Sequence, residues 1–358
     1  MKVGILTSPL ASNIGGILQN YALQQVLLKM GHNPTTIDVG TKYTKSRWVL
    51  GRLRGLIKGK MEIVPFPWYN RIGTYQLMRF VRKHIVRTEF MTSISPDIVS
   101  SYNFNAIIVG SDQVWRKEYN RNLYNMYLDF VLKKDTKKIA YAASIGVEEW
   151  DYNDEETRKC QSLIKDFVAV SVRENSDVAL CKKNLGVDAK HVLDPTLLLE
   201  KDDYLKLCDS IASRNKRIVF AYFLDICEEK LSLAKAIAKD KKGELIIRSA
   251  ENNLKENETI EEWLSLFRDA EFIVTDSYHG TLFSIIFNKC FVTLPNKKRG
   301  MSRFRSVLKL LGLEERLLSD ASEFPKDSIR WNIVNQRLDV EKIESIAFLR
   351  KSLGDVTV

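Results

Sequence analysis

The sequence lacks the residue patterns that hold a metal ion or a disulfide framework. Its five cysteines are scattered without a C-x-x-C spacing, and its four histidines form no HExxH motif or His/Cys cluster. The cysteines are Cys160, Cys181, Cys208, Cys227 and Cys290. We therefore expect reduced, mostly buried thiols and no bound metal.

Long apolar runs and low-complexity tracts are also missing. No stretch approaches the roughly 18 apolar residues of a membrane-spanning helix. The N-terminus has too few apolar residues before Ser12 and Asn13 to form the core of a signal peptide. No Pro/Gly/Ser-rich tract indicates a disordered linker. We therefore expect a cytoplasmic protein whose domains are joined by short connections.

The positive charge is concentrated in one segment of the chain. The net charge is +10, and residues 42–60 contain seven basic residues and no acidic one, interleaved with apolar residues. Such a segment can lie on an anionic membrane surface or hold a polyanionic substrate, and a solvated basic face is the open alternative. No RNA-binding aromatic signature or zinc-finger spacing accompanies it, so nucleic acid is not an expected partner.

Short apolar runs alternate with helical periodicity in two successive series, which is typical of an α/β protein. Strands are predicted at residues 3–6, 35–39, 106–109, 138–142, 167–172 and 191–193, and then at 217–223, 244–248, 272–275 and 290–294. The length of 358 residues favours two domains. We predict two Rossmann-like domains facing a cleft, at 1–200 and 201–325, followed by a helical tail at 326–358.

Two groups of small or polar residues directly follow predicted strands, at the edge where open parallel sheets bind ligands. They are Asn13, Gly15 and Gly16 after the first strand, and Ser111, Asp112, Gln113 and Trp115 after the strand at 106–109. The glycines allow a close backbone approach to a ligand or simply a tight turn. The second group offers the carboxylate, amide and stacking indole of a sugar site, or else a helix cap and a core tryptophan.

Basic residues follow other predicted strands. Arg173 follows the strand at 167–172 and precedes Glu174, so it is either an anion clamp or a structural ion pair. Lys297 and Arg303 follow the strand at 290–294 and are candidate phosphate ligands, although such charge runs are often only solvated.

The turn after the strand at 272–275 combines a histidine with a helix N-terminus. It includes Ser277, His279, Gly280 and Thr281 before an apolar run at 282–287. The free N–H groups at a helix start attract a phosphate or carboxylate, and a histidine there can exchange a proton with the bound group. An ordinary N-cap followed by a turn glycine is the alternative.

These turns together resemble the polysaccharide pyruvyl transferase family. The matching motifs are GILT at 4–7, NIGGILQNYALQ at 13–24, VGSDQVW at 109–115, YAASIG at 141–146, SVRE at 171–174, LDPT at 193–196 and TDSYHGT at 275–281. Their order and spacing fit the family from residue 3 to about 315. Two positions depart from its pattern, since Arg116 stands where asparagine is common and Cys290 where proline is common.

The resemblance implies a fold like that of the GT-B glycosyltransferases. It also implies transfer of pyruvate from phosphoenolpyruvate to two hydroxyls of a sugar, as a cyclic ketal, without a metal or redox cofactor. His279 and Arg173 would then be catalytic. The donor would contact Ser277, Gly280, Thr281, Lys297 and Arg303, and the acceptor would contact Asn13, Gly15, Gly16, Ser111, Asp112, Gln113 and Trp115. The acceptor sugar could belong to a lipid-linked precursor at the inner face of the membrane.

Two other functions remain open at this point. A nucleotide-sugar glycosyltransferase shares the expected architecture and also needs basic phosphate ligands in the second domain. A carbohydrate-binding protein that has lost the chemistry is the other alternative, because a fold alone does not determine a function.

Overall fold

The computed structural model describes residues 1–10, 13–41, 75–120, 122–249, 258–294, 300–319, 324–325 and 327–355. The basic segment at 42–60 and the candidate phosphate ligand Lys297 lie outside these residues, so the predictions for them stay predictions.

The first sheet has six parallel strands in the order β2-β1-β3-β4-β5-β6. They are β1 (Lys2–Leu6), β2 (Asn33–Thr36), β3 (Ala106–Val109), β4 (Lys137–Ala143), β5 (Phe167–Val172) and β6 (Lys190–His191). The strand order reverses at β1, and the loops after β1 and β3 therefore diverge at a switch point where α/β sheets bind ligands.

The second sheet has four parallel strands in the order β10-β9-β7-β8. They are β7 (Ile218–Phe223), β8 (Glu244–Ser249), β9 (Phe272–Thr275) and β10 (Cys290–Thr293). Its switch point lies between β7 and β9. There the Asp276 carboxylate accepts hydrogen bonds from the backbone N–H groups of Leu224 and Asp225, which fixes the loop after β7 beside the turn after β9.

Helices connect the strands and cover both sheets. The α-helices of the described residues are α1 (Ile14–Lys29), α2 (Tyr75–His84), α3 (Pro96–Ser101), α4 (Asp154–Ile164), α5 (Asn175–Leu180), α6 (Lys201–Cys208), α7 (Glu228–Lys241), α8 (Ile260–Asp269), α9 (Tyr278–Ile286), α10 (Ser302–Leu311) and α11 (Trp331–Leu353). The predicted α/β class with two Rossmann-like units and a C-terminal helix is confirmed.

The position of β2 differs from the predicted strand at 35–39. The strand comprises residues 33–36, which pair one by one with Lys2–Ile5 of the neighbouring strand. Pro34 argues against a strand in the sequence because it has no N–H to donate. It is tolerated here because β2 is the last strand at this side of the sheet.

One hydrophobic core is continuous through both halves of the chain. It joins one face of the first sheet, through Ile5 and Ile108, to one face of the second sheet, through Phe220 and Ile273. The opposite face of each sheet has a separate core. The two sheets are therefore held together by buried apolar surface, which fixes the position of one carboxyl edge relative to the other.

The last helix, α11, packs back on the first sheet. The Ser345 hydroxyl accepts a hydrogen bond from the backbone N–H of Leu193 at 3.0 Å, and the Phe348 ring lies 6.3 Å from that of Tyr141. Lys137 donates to the carbonyl of Leu353 at 2.6 Å. The predicted boundary near residue 200 stays a prediction, but α11 shows that the chain ends on the sheet where it began.

We expect Leu349→Ala in α11 to lower the free energy of unfolding by about 2–5 kcal/mol, because it leaves a cavity in the continuous core. Leu349 is fully buried, whereas Ile343 of the same helix is 67% exposed. Ile343→Ala is the matched control and should change stability by no more than about 0.5 kcal/mol. Urea denaturation measures both variants. Equal, small losses would mean that α11 does not belong to the folded core.

Candidate functional site

The buried carboxylate of Asp194, which follows β6, connects groups from several elements. Its Oδ1 accepts hydrogen bonds from the backbone N–H and the hydroxyl of Thr196, at 2.9 and 2.8 Å. Its Oδ2 accepts from Arg173 Nη1 at 3.1 Å and Ser111 Oγ at 3.3 Å, and lies 3.7 Å from His279 Nε2. Burial opposes ionisation, but the imidazole, the guanidinium and the backbone N–H outweigh it and lower the pKa of Asp194 well below its ordinary value. Asp194 is therefore a carboxylate at neutral pH.

Arg173, directly after β5, is 2% exposed and is held on two sides. Its Nε donates to Glu174 at 3.2 Å and its Nη1 donates to Asp194. Burial by itself lowers the pKa of the guanidinium, but the negative charges of Glu174, Asp194 and Asp112 raise the pKa of Arg173 above its ordinary value. The remaining nitrogen, Nη2, is buried and has no hydrogen-bond partner among the described residues. Two carboxylates thus orient Arg173 and leave one donor free.

A second buried acid lies behind this ion pair. Asp177, in the first turn of α5, accepts hydrogen bonds from the backbone N–H of Ile145 at 2.9 Å and from the Ser176 hydroxyl at 3.2 Å. Burial, and then the charge of Glu174, raise the pKa of Asp177 well above its ordinary value. Both effects favour the protonated form of Asp177 in the folded protein.

The turn before α9 is fixed by its own side chains. The Ser277 hydroxyl caps the helix by accepting the N–H of Gly280 at 3.2 Å. A Cβ on Gly280 would lie 2.3 Å from Thr275 Oγ1, so glycine is required for this close approach. Thr281 Oγ1 is 2.8 Å from Thr293 Oγ1 and is fully buried. Each of these predicted donor ligands has a structural role, and its contact with a donor stays a prediction.

His279 lies in the first turn of α9 and faces the N-terminus of α1 from the other half of the chain. A Cβ on Gly15 would lie 2.0 Å from His279 Nδ1, so only glycine allows the ring to occupy this position. The residue is 8% exposed, and Nε2 has no hydrogen-bond partner among the described residues. The predicted residues Gly15 and His279 are therefore brought into direct contact.

Arg303, in the first turn of α10, is a second buried guanidinium at 7% exposure. In the part of the chain that the structure describes, it forms no ion pair with a carboxylate, and its Nε has no hydrogen-bond partner. Its guanidinium lies 5.5 Å from the centre of the Tyr278 ring, and that of Arg173 lies 4.6 Å from the same centre. Burial, and then the charge of Arg173, lower the pKa of Arg303 to about 10. This uncompensated positive charge favours binding of an anion.

The loop after β3 places Asp112 against the same groups. Its Oδ2 accepts a hydrogen bond from Asn13 Nδ2 at 3.5 Å, and its Oδ1 lies 4.0 Å from Arg173 Nη2. A Cβ on Gly16 would lie 3.2 Å from Asn13 Nδ2 and 3.4 Å from Asp112 Oδ2, which is a tight fit. The two predicted strand-end groups of the first sheet are thus brought together.

Ser111 and Gln113 hold this loop in place. The backbone N–H of Ser111 donates to Gln19 Oε1 at 3.2 Å, in addition to the bond from its hydroxyl to Asp194. Gln113 Nε2 donates to the carbonyl of Gly146 at 3.3 Å. Both side chains are buried and serve the loop itself, so any contact with an acceptor stays a prediction.

The prediction that Trp115 offers a stacking face to a sugar is wrong. The side chain is fully buried, and its ring stacks on Tyr127 with the centroids 5.2 Å apart. Its Nε1 donates to the carbonyl of Met126 at 3.0 Å. Because the indole is enclosed by core residues, the alternative of a core tryptophan describes it.

Among the described residues there is no group of three or more histidine, cysteine, aspartate or glutamate side chains placed to hold a metal ion. None of the helices that the structure describes is long and apolar enough to cross a membrane.

Sequence reasoning did not select Asp194, Asp177 or Tyr278 as site residues. A signal for Asp194 was available, because it directly follows the predicted strand at 191–193 and lies in the LDPT motif. Tyr278 is adjacent to His279 in the predicted turn. No local signal distinguishes Asp177 from any other acid in the first turn of a helix.

Comparison with protein families supports one assignment. The family model for polysaccharide pyruvyl transferase matches residues 13–298, which is well over half of the 358 residues. The matched range includes every site residue named above except Arg303. No curated protein matches the sequence.

Solved structures with the same fold are distant in sequence. The UDP-GlcNAc 2-epimerase from Neisseria meningitidis, bound to UDP-GlcNAc, has a TM-score of 0.50 and 10% identity over 99% of this chain and 94% of that one. The S. aureus MnaA-UDP co-structure has a TM-score of 0.51 and 9% identity over 99% of this chain and 91% of that one. These likenesses confirm the GT-B-like arrangement of two Rossmann-like units and show the fold alone.

We expect Asp177→Asn to be tolerated at neutral pH, because a protonated carboxyl and an amide have nearly the same shape and both donate a hydrogen bond. A carboxyl whose pKa is raised in the folded state destabilises that state as the pH rises above its unfolded pKa of about 3.9. Asparagine carries no such penalty. The stability of the variant relative to the unaltered protein should therefore increase between pH 4.5 and 7.5 in urea denaturation.

Asp188→Asn is the control, because Asp188 is exposed and pairs only with Lys182 at the surface. This substitution should change the free energy of unfolding by no more than about 0.5 kcal/mol at both ends of that pH range. A relative stability of Asp177→Asn that is unchanged or lower at pH 7.5 would contradict the raised pKa of Asp177.

Proposed function

This chain belongs to the polysaccharide pyruvyl transferase family, and from that membership we propose that it transfers the pyruvate unit of phosphoenolpyruvate to two hydroxyls of a sugar. The product is a cyclic ketal in a surface polysaccharide or its lipid-linked precursor, and phosphate is released. The observation that carries the proposal is a set of buried nitrogen atoms that have no hydrogen-bond partner among the residues that the structure describes, namely His279 Nε2, Arg173 Nη2 and Arg303 Nε.

Unpartnered buried donors are rare in folded proteins, because each costs the free energy of its lost hydration. Arg173 and Arg303 both contact Tyr278, and Arg173 and His279 both approach Asp194 Oδ2. The three side chains therefore surround one position, which we call the anion site. An anion bound there would satisfy all three. Phosphoenolpyruvate has a phosphate and a carboxylate, and arginine binds both groups well because its planar guanidinium matches their geometry.

The N-terminus of α9 adds to this positive potential, because the first turn of a helix carries about half a unit of positive charge. His279 lies in that turn, beside the anion site. In the proposal, Arg173 and Arg303 hold the donor with its methylene carbon toward the imidazole. Asp194 is the positioning residue that orients Arg173, and its negative charge lies 3.7 Å from His279 Nε2.

The proposed chemistry begins with a proton transfer from His279 to the methylene carbon of phosphoenolpyruvate, which gives a cation at the carbon that bears the phosphate. A sugar hydroxyl attacks that carbon and loses its proton. The second hydroxyl then displaces phosphate and closes the ketal. One hydroxyl proton restores His279 and the other leaves with phosphate, so the reaction needs no metal or redox cofactor.

The acceptor would approach from the first sheet, where Asn13, Gly15, Gly16 and Asp112 lie beside the donor groups. If the sugar is lipid-linked, the protein works at the inner face of a membrane. The basic residues in the segment 42–60 are then the candidates for contact with the anionic surface.

We expect His279→Asn to reduce phosphate release from phosphoenolpyruvate by about 10²–10⁴-fold, the usual range for loss of a general acid. The assay uses a panel of β-linked hexose and N-acetylhexosamine acceptors. Because the two arginines remain, phosphoenolpyruvate should still raise the melting temperature of the variant. Acceptor-dependent release that survives the substitution would remove His279 from the chemistry.

The same assay tests the function itself. If the unaltered protein releases no phosphate with any acceptor, and a nucleotide sugar raises its melting temperature while phosphoenolpyruvate does not, the chain acts as a glycosyltransferase of the same architecture instead.

We expect Arg303→Gln to weaken the binding of phosphoenolpyruvate by about 10–100-fold, because a hydrogen bond to a charged group contributes about 1.5–3 kcal/mol. Isothermal titration calorimetry measures the affinity. The same variant should melt at a higher temperature than the unaltered protein when no ligand is present, because it removes a buried charge that lacks a partner.

Arg305→Gln is the matched control. Arg305 lies on the same helix but is exposed, and it pairs with Glu148 at 3.3 Å. The affinity of the Arg305→Gln variant for phosphoenolpyruvate should change by less than about twofold. Equal losses in the two variants would show that Arg303 acts only through the general charge of the helix.

A further inference from the structure

Asp112 and Glu174 each have a carboxylate oxygen that accepts no hydrogen bond from a described residue, but Glu174 is fully buried, whereas Asp112 is 8% exposed. Asp194 accepts four hydrogen bonds, and Glu174 is tied to Arg173. Among the described residues, the Asp112 side chain accepts only the 3.5 Å bond from Asn13, at Oδ2. Its Oδ1 lies 4.0 Å from Arg173 Nη2, which has no hydrogen-bond partner within the same residues.

We propose that Asp112 is the general base that removes the proton from the attacking sugar hydroxyl. This inference rests on the proposed function and adds a catalytic role on the first sheet to that of His279 on the second.

The distance between Asp112 Oδ1 and Arg173 Nη2 supports this role. A hydroxyl oxygen can lie about 2.8 Å from both Asp112 Oδ1 and Arg173 Nη2, since two hydrogen bonds of that length easily span 4.0 Å. Such an oxygen would accept from the guanidinium and donate to the carboxylate. A neutral hydroxyl has both capacities, whereas a phosphate or carboxylate oxygen has no proton to give to Asp112.

The carboxylate is also adjacent to the donor groups. Its charge acts on the pKa of both Arg173 and Arg303, the two guanidiniums that hold the donor in the proposal. A hydroxyl bound to Asp112 is therefore next to the anion site, on the side formed by the first sheet. Base and acid thus approach the reacting carbon from different halves of the chain.

The O–H bond of the sugar breaks and its proton moves to Asp112 Oδ1, while an electron pair of the same oxygen forms the new bond to the cationic carbon. When the second hydroxyl attacks, the bond from that carbon to the phosphate oxygen breaks. Asp112 returns its proton to the departing phosphate, and the second hydroxyl gives its proton to His279.

Asn13 is a positioning residue in this step. Its amide donates to Oδ2 and so directs the other oxygen, Oδ1, toward Arg173. The close fit of Gly16 against both side chains limits their freedom to rotate. The base is therefore oriented before the acceptor binds.

Asp112→Asn is the variant that tests the base. Asp112 has a φ of 76°, in the left-handed region that asparagine also adopts readily, so the substitution should not strain the loop. We expect kcat to fall by about 10²–10⁴-fold. The affinity for phosphoenolpyruvate should be retained within about threefold, since Arg173, Arg303 and His279 are intact. Asp166→Asn, at an exposed surface position, is the control and should leave kcat unchanged.

A fluorinated acceptor separates base catalysis from a structural role. The probe is the most active glycoside of the panel, compared with its deoxyfluoro analogue that carries fluorine on the carbon next to the attacking hydroxyl. Fluorine makes that hydroxyl more acidic, so it depends less on a base. We expect the loss of kcat in Asp112→Asn to be at least about tenfold smaller with the fluorinated acceptor, consistent with a Brønsted dependence.

Each outcome decides between the proposals. An equal loss of kcat with both acceptors, or a loss below about threefold with the ordinary acceptor, overturns the role of Asp112 and leaves the proposed function standing. Failure of the unaltered protein to release phosphate from phosphoenolpyruvate overturns the proposed function, and this inference with it.

Discussion

The buried carboxylate of Asp194 attracts positively polarised groups from separate parts of the chain. Arg173 comes from the end of β5, Ser111 from the loop after β3, and His279 from the second half of the molecule. A buried charge is costly unless it is paired and hydrogen-bonded, so the folded state must keep these groups together. The position of His279 relative to Arg173 therefore follows from the need to neutralise one carboxylate.

The continuous hydrophobic core makes this arrangement possible. It fixes the carboxyl edges of the two sheets relative to each other. It thereby supports a site in which some buried polar atoms have no hydrogen-bond partner among the described residues. Within the described part of the chain, Arg303 is buried without an acidic partner, and Arg173 and His279 each have a nitrogen without a hydrogen-bond partner. Each of these groups lowers the stability of the free protein, and an anion would recover that loss on binding. The hydrophobic core supplies the stability that allows these binding groups to stay in position before a ligand is bound.

Part of this architecture could be predicted from local patterns. The strands β3 and β9 are short, continuous apolar runs, as expected for parallel strands buried on both faces. Helix α10 was not predicted, although Phe304, Val307, Leu308 and Leu311 have helical spacing. Trp115 was assigned to the wrong environment, since its burial depends on contact with Tyr127 and not on its position after a strand.

The sequence by itself determined the α/β class, the two series of strands and the residues that follow each strand, because hydrophobic periodicity and turn chemistry are local properties. It thus placed Asp112, Arg173 and His279 at strand ends. Only the tertiary structure decided which of these side chains meet, which are neutralised and which keep a free donor or acceptor. Those outcomes depend on distances of a few ångströms between residues far apart in the chain, and electrostatic and hydrogen-bond energies change steeply over such distances.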